Sequence, residues 1–370
     1  MKHRILVLGG YGHFGARIVR ALVQDDDLQV IVAGRDPVKA RDLLADVGSK
    51  LEFCRLDMAA PDFVLQLKSQ QADTLIHTAG PFQGQGYGVA QACLEAGLNY
   101  IDLADGREFV RHFPARLDAL ARRQQRLAIT GASTLPAVSS AVVDLLRANL
   151  DRLDEIQLVI APAQRTPLGL ATVGAVLSYC GRPFEWWQGG SWQAAVGWRQ
   201  LKPVTFSRMK PRRAAPCDVP DHDLLVARYP GVQTVQFRAA LELPWLQYGL
   251  SLLSAVRAWG LPLATAKLAP LFSGAARWFD AWGSELGGMS VELRGMKDGQ
   301  PHEVRWDLTA PQLHGPEIPC MAAILLARRI ARKTLAETGA HACMGFLTLE
   351  AFDAEFARWG ISTSISERAL

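Results

Sequence analysis

The feature that most constrains this chain is the glycine-rich run GGYGHFG at residues 9–15, because of what stands on either side of it. The apolar residues Ile5 to Leu8 lead into the run and are typical of a strand buried on both faces. Behind it, Phe14, Ile18 and Leu22 recur every fourth residue, as on a helix that packs against a sheet. A glycine-rich turn between such a strand and such a helix predicts a dinucleotide-binding unit.

The spacing Gly10-x-Gly12-x-x-Gly15 fits the dinucleotide fingerprint, in which each glycine has a steric task. The first permits the tight turn, the second lets the backbone approach a diphosphate, and the third lets helix and strand pack closely. The diphosphate would lie at the helix N-terminus, where unpaired N–H groups and the helix dipole favour negative charge. A glycine-rich turn without a ligand is the alternative. We predict that the whole turn binds the cofactor, namely Gly9, Gly10, Tyr11, Gly12, His13, Phe14 and Gly15.

The end of the second strand indicates which nucleotide is bound. Sites selective for NAD usually place Asp or Glu there, roughly 20 residues past the glycines, to hold the ribose 2′-hydroxyl. Here Gly34 leaves a space and Arg35 offers a guanidinium, which suits a 2′-phosphate. Asp36, directly before Pro37, is typical of a helix N-cap. We therefore predict NADP(H), with NAD(H) and a solvated Arg35 as the alternative.

Strand and helix patterns alternate from residue 1 to about residue 135, which predicts a parallel sheet with helices on both faces. Strands are predicted over Ile5–Leu8, Leu28–Ala33, Leu51–Leu56, Asp73–Thr78, Asn99–Leu103 and Arg126–Thr130, with helices over Gln83–Gly97 and Leu117–Arg126. Beyond this region, a helix over Val138–Leu150 precedes strands over Glu155–Ile160, Gln233–Leu243, Ser290–Arg294 and His302–Thr309, and a late helix covers Ile318–Leu335.

We thus predict an α/β fold with three parts. Residues 1–135 form a Rossmann domain, a doubly wound parallel sheet that binds the dinucleotide. Residues 136–312 form a second, mixed α/β domain for substrate and dimerisation, and helices in 313–370 return to the Rossmann domain.

Ligands of such sheets bind beyond the carboxyl ends of the strands. Thr78, Ala79, Gly80 and Pro81 follow the fourth strand, and we predict that they face the nicotinamide. Asp57 follows the third strand, where it either contacts the adenine edge or forms a simple turn.

Three side chains near this edge are candidates for moving a proton. His77 is either a proton donor or a buried strand residue, and Asp102 and Asp105 either share a proton or fix and cap their loop. Arg107 either neutralises these carboxylates or binds a substrate carboxylate, whereas Ser133 and Thr134 either contact the nicotinamide amide or begin the next helix.

Composition excludes several other classes of protein. A formal net charge of +4, with acidic and basic residues interspersed, does not indicate a nucleic-acid-binding protein. The basic cluster from Arg208 to Arg213 is typical of an exposed loop, with contact to anionic lipid or substrate as the alternative. Six cysteines form neither a metal-ligand pattern nor a disulfide framework. We therefore predict no metal site. Because the first strand starts so early that no signal peptide is expected, we also predict a cytoplasmic location.

The segment from Leu241 to Phe279 is rich in Leu, Ala and Trp, and Arg257, Lys267, Pro262 and Pro270 interrupt it. No run reaches the roughly 20 apolar residues that span a bilayer, so two or three helices are expected. They form a lid, a dimer contact or a surface through which residues 241–282 touch a membrane. In the last case the anchors are Trp245, Trp259, Trp278 and Trp282.

Several blocks together make the chain resemble the saccharopine dehydrogenase-like family of NADP-binding proteins. They are Gly9–Gly15, Ala79–Phe82, Cys93–Leu103, Gly131–Pro136, Gly315–Pro319 and Gly339–Gly345. The resemblance implies a Rossmann domain completed by later helices, a mixed second domain and often a homodimer. The family includes saccharopine-forming, saccharopine-cleaving and polyamine-forming enzymes, and many members that have no assigned substrate.

Residue types argue for a hydrophobic substrate within this family. Several substrate carboxylates would call for convergent Arg side chains, whereas the second domain is rich in Trp and Leu. We therefore expect an NADP(H)-dependent oxidoreductase that transfers a hydride to or from a hydrophobic carbonyl, imine or enoyl substrate held between the domains. Two alternatives stay open: an NADPH-binding scaffold, sensor or trans-acting partner of another enzyme, and a saccharopine- or polyamine-type amino-acid dehydrogenase.

Overall fold

The computed structural model describes residues 2–48, 51–167, 169–259 and 269–370. Within these residues the strands, in chain order, are β1 (His3–Leu8), β2 (Leu28–Gly34), β3 (Leu51–Arg55), β4 (Thr74–His77), β5 (Asn99–Asp102), β6 (Leu127–Thr130), β7 (Arg152–Ala161), β8 (Pro183–Gln188), β9 (Ser191–Val196), β10 (Lys202–Val204), β11 (Arg212–Pro216), β12 (Thr234–Ala239), β13 (Gly287–Lys297), β14 (Gln300–Ala310), β15 (Gly339–Ala342) and β16 (Ser362–Ala369). The α-helices there are α1 (Gly15–Leu22), α2 (Pro37–Val47), α3 (Phe63–Ser69), α4 (Gly88–Glu95), α5 (Arg107–Arg123), α6 (Ser139–Arg147), α7 (Leu170–Tyr179), α8 (Asp221–Arg228), α9 (Pro244–Ala258), α10 (Ala269–Arg277), α11 (Ile318–Ala331) and α12 (Glu350–Arg358).

The chain divides into two compact units. The first comprises Met1–Val138 and Glu317–Leu347, and the second comprises Ser139–Pro316 and Thr348–Leu370. The expectation that residues 313–370 return together to the first domain differs from this division. Whereas α11 and β15 lie in the first unit, β16 pairs antiparallel with β14 and so belongs to the second.

The first unit is built on a parallel sheet, which confirms the predicted Rossmann architecture. Its described strands follow the order β15-β6-β5-β4-β1-β2-β3, and every neighbouring pair is parallel. The core is apolar because Ile5 to Leu8 on β1 and Ile18, Val19 and Leu22 on α1 are buried together. Because β1 pairs in parallel with the central strand β4, the loops that follow β1 and β4 emerge side by side.

Two helix starts differ from the prediction. Instead of at residue 83, α4 begins at Gly88, because the Gln85 side chain donates to the carbonyl groups of Ala79 and Pro81 and holds a loop there. Helix α5 begins at Arg107, ten residues before the predicted start. Its first turns alternate charged residues with the buried Phe109, Val110 and Phe113, so the helix is longer than its apolar C-terminal half indicates.

The second unit is a mixed α/β structure, as predicted. Its described sheet runs β10-β11-β12-β7-β13-β14-β16, with β8 and β9 attached beside β12. Only β12 and β7 form a parallel pair along this order of described strands. The predicted hairpin is confirmed, since β13 and β14 are joined by Asp298-Gly299.

The apolar segment from residue 241 onward forms helices α9 and α10, followed by a short turn of 3₁₀-helix at Asp280–Trp282, as expected. Pro262 and Lys267, within residues 260–268, lie outside the described residues. In the part of the chain that the structure describes, no helix has both the length and the apolar character needed to cross a bilayer.

Candidate functional site

The glycine-rich turn connects β1 to α1 at the carboxyl edge of the sheet. Its backbone folds back tightly, because the N–H of Gly12 donates to the carbonyl of Gly9 at 2.8 Å. The N–H of Gly9 in turn donates to the carbonyl of Ala33 at 2.8 Å, which fastens the turn to the end of β2. The turn therefore has a fixed position on the sheet.

Glycine is required where this turn meets the helix. A Cβ atom on Gly15 would collide with the Gly9 carbonyl oxygen and lie 2.8 Å from both the Gly10 Cα and the Thr78 Oγ1 atoms. Thr78 cannot easily withdraw, since its hydroxyl donates to the Leu8 carbonyl at 2.9 Å. Close packing of strand, turn and helix thus explains the third glycine of the fingerprint.

The turn presents unpaired donors at the start of α1. The backbone N–H groups of His13, Phe14 and Gly15 donate to no acceptor among the described residues. Gly12 is exposed between them and β1, so no side chain covers the backbone at that point. Several N–H groups at one helix N-terminus suit an anionic diphosphate, and the residues present therefore fit the predicted dinucleotide.

Gly34 has a different task from the predicted one. We expected it to leave open space for a phosphate, but a Cβ atom there would lie 2.5–2.7 Å from the Tyr11 ring. Tyr11 fills that space, and its hydroxyl accepts a hydrogen bond from the Asp36 N–H at 3.1 Å. The open-space premise is thus wrong, because a ring from the glycine turn packs there. Asp36 is the N-cap of α2, as predicted, accepting from Val38 and Lys39.

Two guanidinium groups stand at this edge of the sheet. Arg35 is exposed at the end of β2, and it has no ion-pair or hydrogen-bond partner among the described residues. Arg55, which the sequence analysis overlooked, ends β3 opposite Gly34 in the register and is likewise exposed. Asp57, two residues later, accepts from the Ala59 N–H at 3.1 Å, an arrangement typical of a turn. Exposed arginines at the ends of neighbouring strands suit a 2′-phosphate.

The loop after β4 lies against the glycine turn. Thr78 contacts Gly9 and Gly15, while Gly80 and Pro81 are exposed. The Gln85 amide donates to the carbonyl of Ala79 at 3.0 Å and to that of Pro81 at 2.7 Å. The predicted nicotinamide loop is therefore both accessible and held in shape from one side.

His77 is buried at the end of β4. Its Nδ1 atom is 3.0 Å from the Tyr100 hydroxyl, its Nε2 atom has no hydrogen-bond partner among the described residues, and its ring lies edge-on to that of Phe82. Burial lowers the pKa of His77 to about 4, so the ring is neutral at neutral pH. These surroundings suit the buried structural role more than that of a proton donor.

Asp102 is a fully buried carboxylate that organises the ends of two strands. Its Oδ1 atom accepts from the Thr130 hydroxyl and the Gly131 N–H, both at 2.8 Å, and from the Ala104 N–H at 2.9 Å. Burial raises the pKa of Asp102 to about 6, and these hydrogen bonds oppose the rise. Asp102 therefore fixes the loops that follow β5 and β6.

Asp105 differs from Asp102 in being exposed. Its Oδ1 atom accepts from the Gln83 amide at 3.0 Å, a bond that joins the loop after β4 to the loop after β5. The two carboxylates have separate partners, so no hydrogen bond makes them a proton-sharing pair. Arg107 is buried at the start of α5, and Ser133 is buried just before the helical turn Thr134–Val138.

The second unit contains a buried cation that the sequence analysis did not single out. Arg238 on β12 donates to the Gln200 carbonyl at 3.2 Å and to the Gln236 side chain at 3.3 Å, and its guanidinium lies 4.8 Å from the Trp186 ring centroid. Its Nε atom has no hydrogen-bond partner, and no carboxylate pairs with it, among the described residues. Burial lowers the pKa of Arg238 to about 10, which leaves it charged at neutral pH.

Metal ligation finds no support in the part of the chain that the structure describes. There, no group of three or more His, Cys, Asp or Glu side chains is placed to hold a metal ion. All six cysteines are free.

Comparison with known proteins finds similarity in the first unit. Residues 5–131 match the family model described as the saccharopine dehydrogenase NADP-binding domain. A carboxyaminopropylagmatine dehydrogenase of Synechocystis is 35% identical over 106 residues, which cover 28% of this chain and 26% of that protein. A lipid droplet localized protein of Caenorhabditis elegans is 26% identical over 132 residues, 33% of this chain and 31% of the relative. The chain thus matches less than a third of the length of either curated relative.

Solved structures share the fold of the whole chain. The apo saccharopine dehydrogenase (L-Glu forming) of Saccharomyces cerevisiae has a TM-score of 0.69 at 12% identity, covering 99% of this chain and 100% of that one. The homospermidine synthase of Legionella pneumophila, solved with NAD, has a TM-score of 0.61 at 12% identity over 100% of this chain and 92% of that one. The resemblance seen in the sequence is confirmed over residues 5–131, which match the model of the saccharopine dehydrogenase NADP-binding domain.

Proposed function

We propose that this protein is an NADP(H)-dependent oxidoreductase that transfers a hydride to or from a hydrophobic carbonyl, imine or enoyl substrate. The observation that carries the proposal is the glycine turn, where three N–H groups without acceptors among the described residues stand at the start of α1. That turn lies within the residues that match the NADP-binding family. A bound nicotinamide would supply or accept the hydride, and the chain has to position it, exclude water and move one proton.

Individual residues divide the work of binding. The N–H groups of His13, Phe14 and Gly15 would hold the diphosphate, and Arg35 with Arg55 would hold the 2′-phosphate. Thr78 and the exposed Gly80 and Pro81 would contact the nicotinamide end.

For the proton, we propose Asp105. Of the three candidate acids it is the exposed one, whereas His77 and Asp102 are buried. Asp105→Asn should lower kcat while leaving NADPH affinity unchanged. Gln83→Ala removes the hydrogen bond to Asp105 and should disturb its position without removing the acid.

The cofactor assignment is tested by calorimetry with NADPH and NADH. Gly12→Val should abolish binding of both, because a branched side chain would cover the exposed backbone at the diphosphate. A matched control is Gly315→Val, where nothing lies within 4 Å of the position of a Cβ atom. Unchanged NADPH affinity in Gly12→Val would refute the diphosphate assignment.

The preference for NADPH is tested separately at the second strand. Arg35→Asp should weaken NADPH at least about fivefold more than NADH, because one charge-assisted contact is lost. Equal losses for both cofactors would mean that Arg35 does not contact the 2′-phosphate.

The proposed substrate class rests on the Trp- and Leu-rich segment 241–282 of the second unit. One observation favours a second candidate, an amino-acid dehydrogenase of the saccharopine or polyamine type. Arg238 is a buried cation without a carboxylate partner among the described residues, and a substrate carboxylate would supply one. NADPH oxidation with long-chain aldehydes and enoyl esters, compared with α-keto acids plus amines, separates the two. Activity with keto acids that is lost in Arg238→Met would favour the second candidate.

A third outcome is tight NADPH binding without turnover in any substrate extract, which would favour the scaffold or sensor alternative. A homodimer and a cytoplasmic location stay predictions of the sequence. Light scattering of the purified chain and fractionation of cells measure them directly.

A further inference from the structure

Helix α9 has an apolar face turned toward water. Trp245, Tyr248, Leu252 and Trp259 are all exposed, and Trp259 is 80% exposed. Their spacings of three, four and seven residues place them along one side of the helix. Exposed aromatic side chains in a row are unusual on a surface that meets only water.

The buried side of α9 carries Gln247, Leu250 and Ser254, two of which are polar. The Gln247 side chain accepts from the Leu241 N–H at 2.7 Å, and the Ser254 hydroxyl donates to the Gly197 carbonyl at 2.6 Å. Gln247 and Ser254 are fully buried. Two buried polar residues therefore face the protein while the large aromatic residues of α9 face outward, which is unusual for a helix that meets only water.

The segment after α9 extends the apolar surface. Leu271 and Trp278 are seven residues apart and exposed, with Trp278 at 80%. Trp282 is also exposed, and its ring centroid lies 6.4 Å from that of Trp245 and 5.7 Å from that of Phe279. These ring contacts join the two helical segments. We call the exposed set the aromatic face: Trp245, Tyr248, Leu252, Trp259, Leu271, Trp278 and Trp282.

A basic loop, residues 208–213, lies in the same unit as the aromatic face. Arg208, Lys210 and Arg213 are exposed, and none has a carboxylate partner among the described residues. Arg212, between them, donates from its guanidinium to the Leu286 carbonyl at 2.9 Å. Leu286 comes shortly after Trp282 in the chain. This hydrogen bond therefore attaches the basic loop to the end of the aromatic face.

We propose that the aromatic face and the basic loop together dock on an anionic lipid surface. Indole and phenol rings favour the boundary between headgroups and acyl chains, where one end of the ring is apolar and the other wet. Lysine and arginine beside them are attracted to anionic headgroups. A second copy of the chain fits less well, because a two-fold contact would bring the two like-charged loops to one interface. The inference does not depend on the proposed oxidoreductase activity.

Co-sedimentation with vesicles tests the proposal on the full chain. The wild type should bind phosphatidylcholine vesicles that contain about one third phosphatidylserine, and bind them less at high salt. The double variant Trp259→Ser with Trp278→Ser should bind at least about tenfold more weakly. Trp192→Ser, an exposed tryptophan on β9, is the matched control and should bind like the wild type.

Neutralising the loop tests the electrostatic part. The triple variant Arg208→Gln, Lys210→Gln and Arg213→Gln should lose on the order of a hundredfold in binding to anionic vesicles. The control replaces three exposed cations of the first unit, Arg41, Lys68 and Arg123, by Gln and should lose much less.

Two further measurements keep the test decisive. Far-UV circular dichroism and NADPH affinity show whether each variant is folded. Quenching of wild-type tryptophan fluorescence by brominated phosphatidylcholine measures insertion without any substitution. No vesicle binding by the wild type, or equal losses in test and control variants, would overturn the proposal. So would a wild-type dimer that Trp259→Ser with Trp278→Ser dissociates while vesicle binding is unchanged, since the face would then lie between copies.

Discussion

The burial of Asp102 predicts how the free energy of unfolding depends on pH. Its pKa is raised from 3.8 to about 6 in the folded protein, chiefly by burial. Between these pH values the folded state binds more protons than the unfolded state, so the free energy of unfolding falls as pH rises through this range. A shift of about two pKa units corresponds to about 3 kcal/mol, lost between about pH 4 and pH 7.

Asp102→Asn removes the charge and keeps the acceptor, because all three hydrogen bonds go to Oδ1. Relative to the wild type, its free energy of unfolding should therefore rise by about 3 kcal/mol between about pH 4 and pH 8. Asp102→Ala removes the acceptor of Thr130, Gly131 and Ala104, and should be destabilised by about 3 kcal/mol or more across that range.

Urea unfolding at several pH values measures these differences. The ten tryptophans lie between residues 186 and 359 and outside the first unit, so far-UV circular dichroism has to follow the first unit. Tryptophan fluorescence then reports the second unit and should give the same transition in every variant. If Asp102→Asn keeps the pH dependence of the wild type, or is as unstable as Asp102→Ala, the charge-burial argument is refuted.

Three further substitutions give sharp outcomes. Gly34→Ala should displace the Tyr11 ring and lower NADPH affinity severalfold in calorimetry, and unchanged affinity would show that the ring can move freely. Asp36→Ala removes the N-cap of α2 and should lower the free energy of unfolding by about 1 kcal/mol, as measured by urea unfolding. It should not alter the preference between NADPH and NADH, as measured by calorimetry. In the second unit, burial raises the pKa of Asp221 from 3.8 to about 7. Asp221→Asn should therefore gain stability over the wild type as pH rises from about 4 to about 8. A difference in melting temperature between the two proteins that stays the same across this pH range would contradict the prediction.

Local patterns in the sequence predict the first unit well. The glycine turn is predictable because strand, turn and helix are adjacent in the chain. The residues that decide how they pack are therefore neighbours in the sequence. The same holds for Asp36 and Pro37 at the start of α2. Family-specific blocks further along the chain add the resemblance to saccharopine dehydrogenases.

What the sequence hides are contacts between distant residues. Tyr11 packs on Gly34 across 23 positions, so the glycine looks like open space until the fold is known. Strand β15 consists of Gly-Ala-His-Ala, which carries no β-branched residue, and its pairing with β6 is what makes it a strand. Arg238 is hidden for another reason: a lone arginine in a strand shows neither its burial nor the lack of a carboxylate beside it.

The first unit is formed by two stretches of the chain that are far apart in sequence, and this affects how it folds during synthesis. Residues up to 138 leave the ribosome with strand β6 still lacking its neighbour β15, which is made only with residues 317–347. At roughly 5–20 residues per second, the missing strand follows after roughly 10–40 s. For that time the nascent nucleotide-binding half has an open β-edge that can pair with another chain. A chaperone that shields this edge would be needed most while the second unit is being translated.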